Sequence, residues 1–272
     1  MRTTIESDFD NRVKAATRAF VTNTYNAFSK PLLEKGEDIY VNSLPADVWE
    51  MEDHIVNNFR NIRTSSELNL TCHENEYFTW KRQNDSRSYM FDDVKNLNFN
   101  YNYGNMKRNQ YAKKNLFMWA DFCGIPNEEK WDMLLHEKNL SVSNSVIFMT
   151  FSCRWRRTER IPDAIYFNAK EDQESDKYRF SLENYAPKVI EGYFDATAFR
   201  YHDWQPICNI KYIAEKVDGR GATPMCLIGF SNSQDLLRHY PEPFDHRINW
   251  PQNENTLHAE IKACRTAHKQ VN

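Results

Sequence analysis

"NLFMWADFCGIP", residues 115 to 126, decides how the rest of this chain is read. An apolar run from Leu116 to Ala120 meets a carboxylate at Asp121, an aromatic follows at Phe122, and Gly124 and Pro126 end regular structure. An unbroken apolar run bounded by turn residues is what a strand buried on both faces requires. Such strands belong to parallel sheets covered by helices, where ligands bind beyond the carboxyl ends. The acid at the end of this strand is therefore placed to face a ligand rather than the core.

Similar segments recur on either side. Upstream, "DIYVNSL" (38 to 44) and "ELNLTCHE" (67 to 74) read as strands, and "SYMFDDV" (88 to 94) as a third, followed by an Asn- and Tyr-rich loop through Lys114. Between the first two, "PADVWEMEDHIVNNF" (45 to 59) opens with a helix-favouring proline and carries Val48, Met51, Ile55 and Phe59 at helical spacing. "NEYFTWKRQ" (75 to 83) and "NEEKWDMLLHEKN" (127 to 139) are also helical in pattern, and "NSVIFMTFS" (144 to 152) is the most strand-like segment of all. At the amino end, Val13, Ala16, Phe20, Tyr25, Phe28 and Leu32 predict an amphipathic helix from Asp8 to Leu33, ending near Pro31. A polar loop (153 to 182) and a helix (183 to 192) precede "PICNIKYIAEK" and "TPMCLIGFS", which flank "VDGRG" as an antiparallel hairpin.

Strands alternating with helices predict an α/β fold: a doubly wound, mostly parallel seven-stranded sheet with an antiparallel final hairpin. The expected organisation is an N-terminal helical segment (1–35), the α/β domain (36–232) and a C-terminal extension (233–272) holding the helix "NTLHAEIKACRTAHK". That extension is also a candidate docking element for a protein partner.

Composition narrows the function. The chain has 272 residues, 40% of them hydrophobic and 27% charged, enough to bury a substantial core. Its formal charge of -3 leaves room for a local basic face. Six scattered cysteines form no C-x-x-C pair, which argues for reduced thiols and against a zinc or other metal site. The polar start "MRTTIESDFDNRV" and the lack of an apolar run of about 18 residues predict a cytoplasmic protein without a membrane span. Only 7 glycines occur, fewer than half of the usual ~7%, so neither G-x-x-x-x-G-K nor G-x-G-x-x-G can be written. That argues against ordinary nucleotide-hydrolysing or nicotinamide-binding enzymes.

Strand-helix units closed by an antiparallel hairpin, with acids at three successive strand ends, resemble the class I S-adenosylmethionine-dependent methyltransferases over roughly residues 36 to 232. The resemblance implies S-adenosylmethionine as cofactor. It places Asn42, Ser43, Leu44 and Pro45 beside the methionine part, although the family's glycine-rich loop has no counterpart here. It assigns Glu74 to the ribose hydroxyls, a role suited to a carboxylate with two acceptor oxygens. Asp93, with Asp92 as substitute, would accept from the adenine amino group. Asp121 would border the cofactor and act on the acceptor, and Phe122 would be its catalytic neighbour, able to stack on a base. "DFCG" lacks the paired prolines of amine-directed nucleic-acid enzymes, and Cys123 lacks the preceding proline of cytosine-directed ones. A small buried role suits Cys123 better.

"SCRWRRTER" follows the strand at 144 to 152, with Arg154, Arg156 and Arg157 around Trp155. Arginines bind phosphate bidentately and tryptophan stacks on unpaired bases, so this loop predicts a nucleic-acid substrate, DNA or RNA. The plainer alternative is a solvated turn paired with the acidic "KEDQESD". Two other functions compete: a methyltransferase-fold subunit that binds nucleic acid without cofactor chemistry, and a metal-dependent nuclease built on "IPDAIYFNAKED". The nuclease ranks last, because Asn168 stands where a second carboxylate is needed.

Overall fold

The computed structural model describes residues 11–44, 50–62, 65–74, 80–81, 84–85, 91, 94, 96–101, 114–122, 130, 137–152, 204–215 and 222–248. The strands are β1 (Ile39–Ser43), β2 (Leu68–Glu74), β3 (Asn96–Tyr101), β4 (Leu116–Asp121), β5 (Val146–Ser152), β6 (Gln205–Glu215), β7 (Ala222–Ser231) and β8 (Phe244–Ile248). They form one sheet in the order β3-β2-β1-β4-β5-β7-β6-β8. Strands β1 to β5 pair in parallel, β7 runs antiparallel to β5 and β6, and β8 is parallel to β6. A sheet with a single reversed strand set between the fifth and the sixth is a Rossmann-like methyltransferase fold, and here an eighth strand from the C-terminal region extends it.

Alternation along each strand divides the core into two layers. Val41, Leu70, Phe117, Trp119, Val146, Phe148 and Ile210 join one buried cluster with side chains of the helices α1 (Asn11–Glu34) and α2 (Glu50–Asn61). We call this the first face. Their neighbours Leu116, Met118, Ala120, Ile147, Met149 and Ile228 form the cluster on the second face. Every residue of β5 is buried, as its unbroken apolar run requires.

Helix α1 buries Val21, Tyr25, Phe28 and Leu32, spaced by three and four, on the first face. It runs past the expected end near Pro31, which lies inside it, and stops where Gly36 takes φ 72°. There the amide of Gly36 donates to the Leu33 carbonyl at 3.1 Å and that of Glu37 to Leu32 at 2.9 Å, closing the helix in a Schellman turn.

The third strand differs from expectation. The apolar stretch 88–94 was the expected strand, whereas β3 is the Asn-rich "NLNFNY" that follows it. β3 pairs only with β2 among the described strands and stands at one end of the sheet order, with Phe99 buried and Asn98 exposed. Half-burial of this kind does not need an apolar run, so hydrophobicity pointed to the wrong segment. The helices expected at 183–192 and in the C-terminal extension lie outside the described residues.

At the amino edge a polar network holds the starts of β1, β4 and β5 together. Asn115, buried and in the left-handed region at φ 59°, donates through Nδ2 to Glu37 Oε2 and to the Asp38 carbonyl, both at 3.0 Å. Lys114 Nζ reaches the same Glu37 oxygen at 2.9 Å, and Asn144 Nδ2 donates to Asn115 Oδ1 at 2.6 Å. Bonds from Asn115 and Lys114 hold the Glu37 carboxyl below the usual carboxylate range. A lowered folded-state pKa contributes stability above the unfolded value, and that contribution disappears as the pH falls through the folded one. Glu37→Gln should therefore be less stable than the parent at neutral pH, with the gap closing in acid; urea unfolding across this range checks it, and a gap independent of pH rejects the assignment.

A second constraint lies in β7. Gly229 faces Phe148 of β5 and Cys208 of β6, and a Cβ there would sit 2.7 Å from Phe148 Cδ1 and 3.0 Å from Cys208 Sγ. Phe148 cannot move freely, since its ring meets Phe20 edge-on at 6.2 Å and Phe117 at 5.7 Å. Gly229→Ala should cost about 1–3 kcal/mol, as overpacking of a filled core does. The check is the thermal midpoint, and no decrease would show that the ring has room to yield.

Candidate functional site at the carboxyl edge of the sheet

The site follows from where β1 stops. Ser43, its last residue, is level with Cys72 of β2 and Trp119 of β4. Both neighbours run two residues further, to Glu74 and Asp121. The ladder explains the early end. Ile39 donates its amide to the Glu67 carbonyl of the β2 side, and alternate residues repeat this, so the next amide due after Ser43 belongs to residue 45. Residue 45 is proline and has no N–H to give.

The result is a notch in the strand pairing at the point where strand order reverses, between β1 and β4. Such switch points are where open α/β sheets take their ligands. Strand geometry puts the ends of β2 and β4 roughly 10 Å apart and roughly 6–7 Å beyond the end of β1. Parity sets which side chains face it. Cys72 and Trp119 lie on the first face, so Glu74 and Asp121, two residues on, share that face. Ser43 shares it too, and its hydroxyl donates to Cys72 Sγ at 3.4 Å. Beside Asp121 in register is Thr150 of β5, and Phe122 donates its amide to the Thr150 carbonyl at 2.9 Å, fixing the β4 end. Glu74 and Asp121 are both half-buried.

The predicted residues thus divide. Ser43, Glu74 and Asp121 come together around the notch. Asn42, Leu44 and Phe122 point to the second face, because each is one residue out of phase. Phe122 is buried with Leu140 and Val142 and has Lys130 Nζ 5.2 Å above its ring, so it is a core side chain rather than a stacking platform next to Asp121. The Asp93 assignment loses its premise: the third strand begins at Asn96, after it, and not before it. Pro45, Asp92, Asp93, Cys123, Arg154, Trp155, Arg156 and Arg157 themselves lie outside the described residues.

Three side chains at this edge escaped the sequence reading. Glu52, near the start of α2, is buried, and so is His73, which faces away from Glu74. The third is Trp119, level with Ser43 in the floor of the notch. Its position on the same face as Asp121 follows from a spacing of two, a signal hidden by its place in an apolar run. Among the described residues no helix is long and apolar enough to cross a membrane.

No protein-family model matches the chain, and no curated protein matches its sequence. In three dimensions it is similar to a candidate class I S-adenosylmethionine-dependent methyltransferase from Listeria monocytogenes, at 8% identity and TM-score 0.47, over 93% of this chain and 70% of that one. It is also similar to an SAH-bound methyltransferase from Podospora anserina, at 9% identity and TM-score 0.36, over 70% of each chain. A candidate sarcosine dimethylglycine methyltransferase from Galdieria sulphuraria gives 10% identity and TM-score 0.39, over 82% and 88%.

Proposed function

We propose that this chain is an S-adenosylmethionine-dependent methyltransferase whose acceptor is a nucleic acid. The observation that supports it most is the notch in the strand pairing: at the switch point, carboxylates end the two flanking strands on one face of the sheet, with a seryl hydroxyl on the strand between them. Glu74 suits the ribose diol, to which a carboxylate offers two acceptor oxygens. Ser43 stands on the β1 side, where the amino-acid end of the cofactor would lie. When bound, the cofactor supplies an electrophilic methyl group, and what remains for the protein is alignment and proton handling. Asp121, across the notch from Glu74, accepts a hydrogen bond or proton from an amine acceptor and orients its lone pair.

The nucleic-acid part of the proposal rests on "SCRWRRTER", which continues directly from the carboxyl end of β5. Arg154, Arg156 and Arg157 would bind phosphates and Trp155 would stack on a base. The C-terminal extension (233–272) would be the element for a protein partner. A second reading is favoured by one observation: "IYVNSLPADVW" carries no glycine where such a loop ordinarily approaches the cofactor. On that reading the chain keeps the fold and serves as a nucleic-acid-binding subunit.

Calorimetric titration with S-adenosylhomocysteine separates the two, since micromolar binding supports the enzyme and absence of binding leaves the subunit. Given binding, Glu74→Ala should weaken it roughly tenfold or more, the effect of a lost charge-assisted hydrogen bond. Asp121→Ala should leave that affinity nearly unchanged and abolish transfer; normal turnover would remove Asp121 from the mechanism. Replacing Arg154, Arg156 and Arg157 together should flatten the salt dependence of nucleic-acid affinity, because fewer counterions are released. An unaltered slope would return the loop to the role of a solvated turn.

A further inference from the structure

Trp119 is 6% exposed, and its indole Nε1–H is buried without a hydrogen-bond acceptor among the described residues. An indole nitrogen only donates, so the group gains nothing from its surroundings while the edge stands as it is. Trp204, the residue before β6, shows the ordinary solution for a buried indole: its Nε1 donates to the Leu140 carbonyl at 3.0 Å. A buried indole left without such a bond invites a reason.

Position supplies one. Trp119 pairs in register with Ser43, and its carbonyl accepts the Leu44 amide at 3.2 Å, so its backbone is tied to the residues that end β1. Its side chain lies on the same face as Glu74 and Asp121, one pleat below them. We infer that the Trp119 indole is a positioning donor for the carboxylate of the ligand's amino-acid end. This rests on the cofactor proposed above, whose amino-acid end lies beside Ser43 at the end of β1. The carboxylate is the acceptor there, because the neighbouring ammonium can only donate and a sulfonium accepts nothing. The atom is covered, so the carboxylate meets it only when the end of β1 yields.

Two probes isolate this contact. S-adenosylhomocysteine carries the carboxylate, whereas methylthioadenosine keeps the adenosine and the sulfur and lacks it. Trp119→Phe retains an aromatic core ring and removes the donor. The variant should bind S-adenosylhomocysteine roughly tenfold or more weakly and methylthioadenosine as well as the parent does. Equal losses for both would assign Trp119 a packing role and overturn the inference, as would no loss for either. If the variant does not fold, the parent labelled with isotopic tryptophan carries the test: S-adenosylhomocysteine should shift one slowly exchanging indole N–H downfield and methylthioadenosine should not. Absence of that selective shift refutes the donor. A parent that binds neither compound defeats the cofactor proposal itself, whereas a parent that binds both with an indifferent Trp119 defeats only this inference.

Discussion

The register of β4 depends on how Asn115 is held. Its left-handed backbone starts the strand, its side chain spans to Glu37 and the Asp38 carbonyl beside β1, and Asn144 reaches it from the start of β5. Side-chain direction alternates with every residue, so a slip of one position would exchange the two faces of β4 along its whole length. Leu116, Met118 and Ala120 would then meet the helices, and Asp121 would turn from the notch into the second face. A polar knot at the amino edge thus determines which side chains appear at the opposite edge, one strand length away.

The notch expresses the same logic in backbone terms. Nothing has to be carved out of the protein to make it. β1 lacks the amide that its next pairing would use, and the strands beside it continue. Glu74 and Asp121 then stand on a rigid floor of paired strands, which fixes their separation better than a loop would. Glu52, in the helix that follows β1, is a third acid and is buried.

How much of this was legible in the sequence varies with burial. β4 and β5 were readable because strands covered on both faces are apolar throughout, β1, β2 and the β6–β7 hairpin because short apolar stretches are bounded by turn residues, and the hairpin gave the reversal but not its place between β5 and β6. β3 and β8 were not. Each stands at an end of the sheet order, where asparagines or charged residues such as Asp245 and Arg247 serve as well as valines, and "FDHRI" has no pattern that distinguishes it from a loop. The site followed the same rule. Glu74 and Asp121 were found because an acid after an apolar run is conspicuous, whereas Asp93 was conspicuous after the wrong run. Trp119 was hidden because the state of an indole nitrogen depends on tertiary neighbours that no local pattern encodes.

The strand order also has a consequence for synthesis. β1 lies between β2 and β4, yet β4 begins only at Leu116. At about 5–20 residues per second, the interval from Ser43 to Leu116 lasts on the order of several seconds on the ribosome. During that time the nascent chain can present an unpaired edge carrying Ile39 and Val41, the kind of surface through which chains aggregate. Glu37 and Asp38 stand immediately before that edge, and the folded partners of Glu37, Lys114 and Asn115, emerge with β4 itself. Until then the acidic pair is solvated and charged, and it acts as a gatekeeper for the strand it later helps to anchor.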